Sequence, residues 1–225
     1  MGGAFFAGIA AFLGWGVWEA THPAPVPLQG MVDARTISVS AKVPGRLAEL
    51  KVREGDVLKA GDTVLLSGVV YTARDQAHKR MMEALDKGET LPFDLEGSAI
   101  YYVGPTPERP GEVIGSAGPT TSGRMDAMSP RLLDLGNKIM IGKGKRDAAV
   151  KAAVVRNGAV YLAALGGAGA LMAKSVQTLE VIAWPDLGCE AVRRLTVQDM
   201  PLTVVLDAHG GDLYEEGPAA YLAAL

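Results

Sequence analysis

The chain has 225 residues and a mass of 23.5 kDa, enough for one sizeable hydrophobic core but not comfortably for two full domains. Apolar residues make up 48% and charged residues 21%, a composition that argues against wholesale disorder. The formal net charge is -3 and the isoelectric point is near 5.7, so the chain lacks the excess positive charge typical of nucleic-acid-binding proteins, and we expect no nucleic acid partner. The single cysteine, Cys189, cannot close an internal disulfide or hold an iron-sulfur cluster alone, and we expect it to be buried.

Residues 2–18 carry no charge and are rich in glycine, alanine and aromatic residues. As a helix with a rise of about 1.5 Å per residue they would extend about 26 Å, slightly short of a hydrocarbon core. Basic residues follow this stretch and none precedes it, so insertion would leave the rest of the chain inside. We interpret residues 1–20 as a hydrophobic helix, and any membrane contact would go through residues 2–18.

The next segment, residues 21–57, combines a proline-stiffened linker with short β-branched runs separated by glycines. Together with the apolar start it resembles the N-terminus of an HlyD-type membrane-fusion secretion adaptor. That resemblance implies a partial biotinyl/lipoyl-like β segment. The helical hairpin and second barrel half of such adaptors do not follow in the sequence, nor does a lysine in a suitable hairpin turn.

From residue 58 onward, strand and helix patterns alternate, which predicts an α/β domain over residues 58–225. An apolar run over residues 64–70 predicts a strand. Apolar residues at helical spacing from Ala77 to Leu85 then predict an amphipathic helix that ends at Gly88.

The junction between that strand and helix carries the first candidate binding residue. Thr72 or Asp75 is placed to cap the free N–H groups of the helix. Arg74 lies between them, where a cation opposes the helix dipole, so we expect it to pair with an anion.

Residues 118–126, "GPTTSGRMD", concentrate turn residues and hydroxyls around one arginine. Thr120 and Thr121 supply hydroxyl groups, and Gly123 permits close approach of the backbone to a ligand. Arg124 can present a fork of donors to a carboxylate. The alternative is an ordinary surface turn with a solvated arginine.

A third junction, "GKGK" at residues 142–145, holds Lys143 between two glycines. It is not a phosphate-binding Walker loop, because the spacer and the following hydroxyl residue are missing. Three strand ends therefore carry one cation each, namely Arg74, Arg124 and Lys143. Strand ends of α/β sheets form ligand crevices, so this set predicts a site for a small di-acid.

Several stretches together resemble the β subunit, or C-terminal domain, of iron-sulfur class I fumarate hydratases and L(+)-tartrate dehydratases. They include "LLSGVVYTARDQAHKR", "GSAGPTTSGRMD", "GKGK" and "LGCEAVRRLTVQDMPLTVVLDAHGGDLYEE", and the match runs over about residues 58–216. The resemblance implies a swivelling β/β/α domain and a hydro-lyase reaction: reversible hydration of fumarate to (S)-malate, or dehydration of tartrate.

The same resemblance implies roles for individual residues. Arg74, Arg124 and Lys143 match the binders of the substrate carboxylates, and Thr120 matches the proposed catalytic base. Thr120, Arg124 and Lys143 are the implied catalytic residues. Four neighbours would support them, namely Asp75, His78, Thr121 and Ser122.

No metal ligand is expected on this chain. The resemblance implies a [4Fe-4S] cluster held by three cysteines of an α subunit, in an assembly expected to be α2β2. Such an enzyme implies a cytoplasmic location, whereas an inserted residue 2–18 segment would imply anchoring in the inner membrane. Two alternatives stay open: a membrane-adaptor fragment, and a non-catalytic module that binds dicarboxylates.

Overall fold

The computed structural model describes residues 58–223. The predicted hydrophobic helix of residues 1–20 and the lipoyl-like segment of residues 21–57 lie outside the described residues. Within residues 58–223, no helix is both long and apolar enough to cross a membrane.

The described residues form a mixed α/β domain of six strands and five α-helices, with two short 3-10 helices. The strands are β1 (Thr63–Thr72), β2 (Ala99–Tyr101), β3 (Ile139–Gly142), β4 (Val160–Ala163), β5 (Val176–Ala183) and β6 (Val192–Leu206). The α-helices are α1 (Asp75–Asp86), α2 (Ser129–Asp134), α3 (Ala148–Arg156), α4 (Gly169–Lys174) and α5 (Leu213–Ala223). The 3-10 helices span Ser122–Met125 and Pro185–Glu190.

The sheet closes into a barrel-like arrangement. Its strand order is β1-β2-β3-β4-β6-β5, and β6 also pairs with β1. The closure depends on the length of β6: residues 193–203 of this strand pair with β1, its first residues pair with β5, and its last residues reach β4. The strands β1 to β4 run parallel to one another, so their carboxyl ends lie at one edge.

Two apolar cores lie on the two faces of this sheet, because alternate strand residues point to opposite sides. Tyr101 and Ile141 belong to a cluster to which all six strands contribute. Their neighbours Tyr102 and Met140 belong to the other cluster, which also contains buried residues of α1, α2 and α3. Both faces of β2 and β3 are therefore covered, which explains why these strands read as continuous apolar runs.

The predicted strand and helix after residue 58 are confirmed. The strand is two residues longer at its carboxyl end than predicted, and helix α1 ends at Asp86, just before Gly88. Ala77 and Met81 are buried on its inner face.

Candidate functional site

Three loops meet at the carboxyl edge of the parallel strands. Thr72 of β1 lies opposite Tyr101 of β2, which lies opposite Ile141 of β3, so the three strands end at the same level. The segment after β2 is fastened back to its own strand, where the amide of Thr120 donates to the carbonyl of Tyr102 (2.7 Å), and to the loop after β3, where the amide of Ser122 donates to the carbonyl of Lys143 (2.8 Å). The pairing of the strands and these backbone hydrogen bonds thus bring the loops that carry the predicted site residues to one edge of the sheet.

Arg74 is the residue on which several of these loops converge. Its Nη1 lies 3.4 Å from Oγ1 of Thr120, and its Nη2 donates to Oε1 of Glu190 at 3.2 Å. The guanidinium lies against the backbone of Gly104, since a Cβ added there would come within 2.6 Å of Cζ of Arg74. The Arg74 side chain is 23% exposed, and its buried Nε has no hydrogen-bond partner among the described residues.

Arg124 is joined to the first residue of α1. Its Nε donates to Oδ1 of Asp75 at 2.8 Å, while Oδ2 of Asp75 is buried and has no partner within the described part of the chain. The Arg124 side chain remains 55% exposed. Asp75 therefore fixes one end of the guanidinium and leaves the rest of its fork accessible.

Ser122 organises the loop that carries Lys143. Its hydroxyl oxygen is fully buried and accepts hydrogen bonds from the backbone amide of Lys143 (3.0 Å) and from the hydroxyl of Tyr161 (2.9 Å). It fits against Gly142, where an added Cβ would overlap the hydroxyl. Thr121 is exposed beside it and forms an isolated parallel bridge with Lys143, whose side chain is half-buried.

His78 lies beneath the site rather than in it. It is fully buried, its Nδ1 is 3.2 Å from the carbonyl oxygen of Arg74, and its ring meets Tyr102 edge to face. Burial removes water from the charged form and lowers the pKa of His78 to about 4. A neutral imidazole at this position supports the first turn of α1, and its Nε2 has no partner among residues 58–223.

Two charged residues that the sequence analysis did not select also shape the site. Glu190 pairs with Arg74, as described above. Arg146, which directly follows "GKGK", is buried, donates to Oδ1 of Asp126 at 2.6 Å and lies over the rings of Tyr102 and Tyr161. Its partner Asp126 lies on another loop, and the adjacent Asp147 instead caps α3.

Two expectations about this region were wrong. Neither Thr72 nor Asp75 caps α1, because Arg74 is the N-cap residue and Asp75 binds Arg124 instead. The hydroxyl of Thr72 donates to the carbonyl of Ala191 (3.2 Å). Cys189 is exposed rather than buried, because it lies on the 3-10 helix at the molecular surface, where its Sγ is 3.4 Å from Nη2 of Arg74.

This arrangement is suited to an anion with two carboxylates. It offers two guanidinium groups, an ammonium group and hydroxyls at one edge of the sheet. Among residues 58–223, no group of three or more His, Cys, Asp and Glu side chains is arranged to hold a metal ion.

Comparison with known proteins identifies a matching family and several relatives. The family model described as "Fumarase C-terminus" matches residues 29–217. The chain is 42% identical over 174 residues to a putative L(+)-tartrate dehydratase subunit beta of Methanocaldococcus jannaschii, an alignment that covers 74% of this chain and 89% of that protein. It is 40% identical over 162 residues to fumarate hydratase 2 of Leishmania major, covering 69% of this chain and 28% of that protein.

A class I aerobic fumarate hydratase of Salmonella typhimurium is 38% identical over 153 residues, which cover 67% of this chain and 28% of the relative. The chain thus spans little more than a quarter of these two fumarate hydratases. The adaptor resemblance of the N-terminal residues finds no support in these relatives, and the family match already begins at residue 29. The match covers most of the chain, and the chain belongs to the Fumarase C-terminus family.

Proposed function

We propose that this chain is the β part of an iron-sulfur hydro-lyase that hydrates fumarate to (S)-malate, or dehydrates tartrate. The observation that carries the proposal is the double link between α1 and the Thr120 loop, through Arg74 to Thr120 and Asp75 to Arg124. These contacts support a single di-acid site built from separate loops. The relatives named fumarate hydratase and tartrate dehydratase subunit beta support the reaction class.

In this proposal the cations act on the carboxylates of the substrate. Removal of a proton next to a carboxylate builds negative charge onto that group, so fixed donors stabilise the transition state more than the ground state. Arg124 and Arg74 present planar forks that suit carboxylates, and Lys143 adds a point charge. Loss of one such donor costs about 2.7 to 4 kcal/mol in a comparable oxyanion site.

Thr120 is the proposed catalytic base, and its environment favours that role. A threonine hydroxyl is a weak base by its intrinsic acidity, so it needs nearby positive charge to stabilise its deprotonated form. The guanidinium of Arg74, 3.4 Å from Oγ1, is placed to supply that charge. Asp75, His78, Thr121 and Ser122 are proposed to keep these groups in position.

The iron-sulfur cluster would have to come from a partner, because one exposed cysteine cannot supply its three cysteine ligands. When bound, such a cluster supplies a Lewis-acidic iron for the substrate hydroxyl. We propose an α subunit as its carrier and α2β2 as the assembly. The subunit wording of the tartrate dehydratase relative supports the need for a partner.

Two further parts of the proposal rest on the family. We propose that the closed sheet and its helices act as a swivelling β/β/α domain that covers the partner's cluster. We also propose a cytoplasmic location, because the cluster of this enzyme class is sensitive to oxygen.

The test is to produce the full chain together with a three-cysteine α subunit and to assay hydration of fumarate and dehydration of tartrate. We expect turnover in the complex and nearly none after Arg124→Ala. Arg156→Ala is the matched control, because Arg156 forms an exposed ion pair with Asp134 on distant helices. Wild-type-like turnover by Arg124→Ala would refute its role, and a melting temperature raised by malate without any turnover would indicate a binding module.

A further inference from the structure

Glu190 accepts hydrogen bonds both from the first turn of α1 and from the Arg74 guanidinium. Its Oε2 accepts a hydrogen bond from the backbone amide of Gln76 at 2.7 Å, and its Oε1 accepts one from Nη2 of Arg74 at 3.2 Å. We propose that Glu190 is a positioning residue that orients Arg74 for the dicarboxylate. This inference rests on the proposed function and adds to it a residue that the family-based assignment did not include.

The first contact replaces a missing cap. The N-cap residue of α1 is Arg74, whose side chain has no acceptor atom, and no side chain caps the helix from that position. A free N–H group at a helix start needs an acceptor, and a carboxylate there is also favoured by the helix dipole. Glu190 provides that acceptor from a segment more than 110 residues away in the sequence.

The second contact, between Glu190 and Arg74, uses only one nitrogen of the guanidinium. Glu190 can therefore orient Arg74 without competing with the substrate for it. A carboxylate that kept Arg74 from binding substrate would be expected to pair bidentately with two nitrogens of the guanidinium. Glu190 contacts Nη2 only and uses its other oxygen on the helix. Nη1 remains directed at Thr120, and Nε has no partner within the described residues.

The segment that presents Glu190 is itself held firmly. Arg193 donates from Nη2 to the carbonyl of Gly188 (2.8 Å) and from Nη1 to that of Cys189 (3.0 Å). Asp186, on the same 3-10 helix, pairs with Arg80 of α1. The Glu190 side chain is only 16% exposed, so its pairing with Arg74 is less screened than a surface ion pair.

The experiment compares Glu190→Gln with Asp186→Asn in the full chain complexed with its α subunit. Gln retains an oxygen to accept from the Gln76 amide but removes the charge that faces Arg74. Asp186→Asn weakens the other link between the same segment and α1 without touching Arg74, so it is the matched control. In metal sites, removal of a residue that orients a ligand typically lowers affinity or activity about 10- to 100-fold. By analogy we expect the KM of Glu190→Gln to rise about tenfold.

We expect kcat to fall as well, because Arg74 also stabilises the transition state and the deprotonated form of Thr120, but the rise in KM is the change that a loss of stability alone would not produce. A variant that was merely less stable would lose active enzyme and keep its KM. In an Arg74→Ala background, Glu190→Gln should add no further rise in KM. In the free full chain, the melting-temperature changes caused by Arg74→Ala and Glu190→Gln should be non-additive, because Arg74 and Glu190 are in contact.

An unchanged KM in Glu190→Gln would overturn the inference, as would equal effects of Asp186→Asn or additive changes in melting temperature. A lower KM would overturn it as well, because Glu190 would then compete with substrate. If the wild-type complex turns over no di-acid, the proposed function fails and this inference falls with it. That failure is recognised by the inactive wild type rather than by the variant.

Discussion

Gly104 gives the sharpest test of the geometry around Arg74. The Gly104→Ala substitution would place a Cβ 2.6 Å from Cζ, 2.8 Å from Nη1 and 2.9 Å from Nε of Arg74. Ordinary contact begins at 3.4 Å, so the guanidinium carbon has to move by about 0.8 Å, the difference between 3.4 and 2.6 Å. The backbone at Gly104 does not need the left-handed conformation, so alanine itself is tolerated.

The displaced group is the far end of a long side chain, which can yield without disturbing the core. We therefore expect the free energy of unfolding to change by less than about 1 kcal/mol, the range of substitutions away from the core. A displacement of about 1 Å in a positioning group can cost about 100-fold in rate. We expect kcat/KM for the dicarboxylate to fall about 10- to 100-fold.

The assay is di-acid turnover by the complex, with urea unfolding of the free chain alongside it. Gly217→Ala on α5 is the control, because its Cβ would meet only Cδ1 of Leu213 at an ordinary 3.7 Å. The control should keep full turnover. Turnover of Gly104→Ala within about twofold of wild type, roughly 0.4 kcal/mol, would refute the reasoning that places Arg74 at the substrate.

Two predictions concern stability alone. Ser122→Ala leaves the partly buried amide of Lys143 without its acceptor, and we expect urea unfolding to show a loss of about 1 to 3 kcal/mol. Tyr161→Phe should cost less, because the Ser122 to Lys143 bond survives; an equal or larger loss would contradict this order. Burial lowers the pKa of His78 from 6.5 to about 4. The contribution of the neutral imidazole to the free energy of unfolding is therefore complete above pH 6.5 and is lost as the pH falls toward 4. On the order of 3 kcal/mol should disappear over that range, and His78→Gln should flatten the dependence while the exposed His209→Gln leaves it intact.

Local patterns were sufficient to predict the elements that carry the site. The apolar run before Arg74 and the helical spacing after it correspond to β1 and α1. The glycine-flanked position of Lys143 follows β3, as its sequence indicates. These predictions hold because each depends on residues within a few positions of one another, where periodicity and turn chemistry act directly.

The partners of the charged residues could not be predicted in the same way. Glu190 reaches Arg74 only because β6 closes the sheet and brings the segment before it beside α1. Asp126 pairs with Arg146 across two loops. No periodicity encodes such pairs, and the local rule that places capping residues next to their helix gave the wrong cap for α1.

Residues 113 and 114 show a second way in which a local pattern can mislead. Val113 and Ile114 are consecutive β-branched apolar residues, but this stretch forms no strand, and Ile114 is buried in the cluster that contains Tyr101 and Ile141. Two β-branched residues in a row are compatible with any apolar environment. Without alternation over a longer run they do not specify a ladder.

The pairing of the site cations bears on how a di-acid would bind. Arg74 has Glu190 and Arg124 has Asp75, yet each carboxylate contacts a single nitrogen of its guanidinium. A partly buried cation without a counter-ion would be costly, and one engaged on both sides of its fork would have no donors for substrate. Single-sided pairing meets both demands, since it holds each guanidinium in place and leaves N–H groups for the carboxylates of the ligand. Removal of either internal carboxylate should therefore weaken binding even though it adds net positive charge to the site.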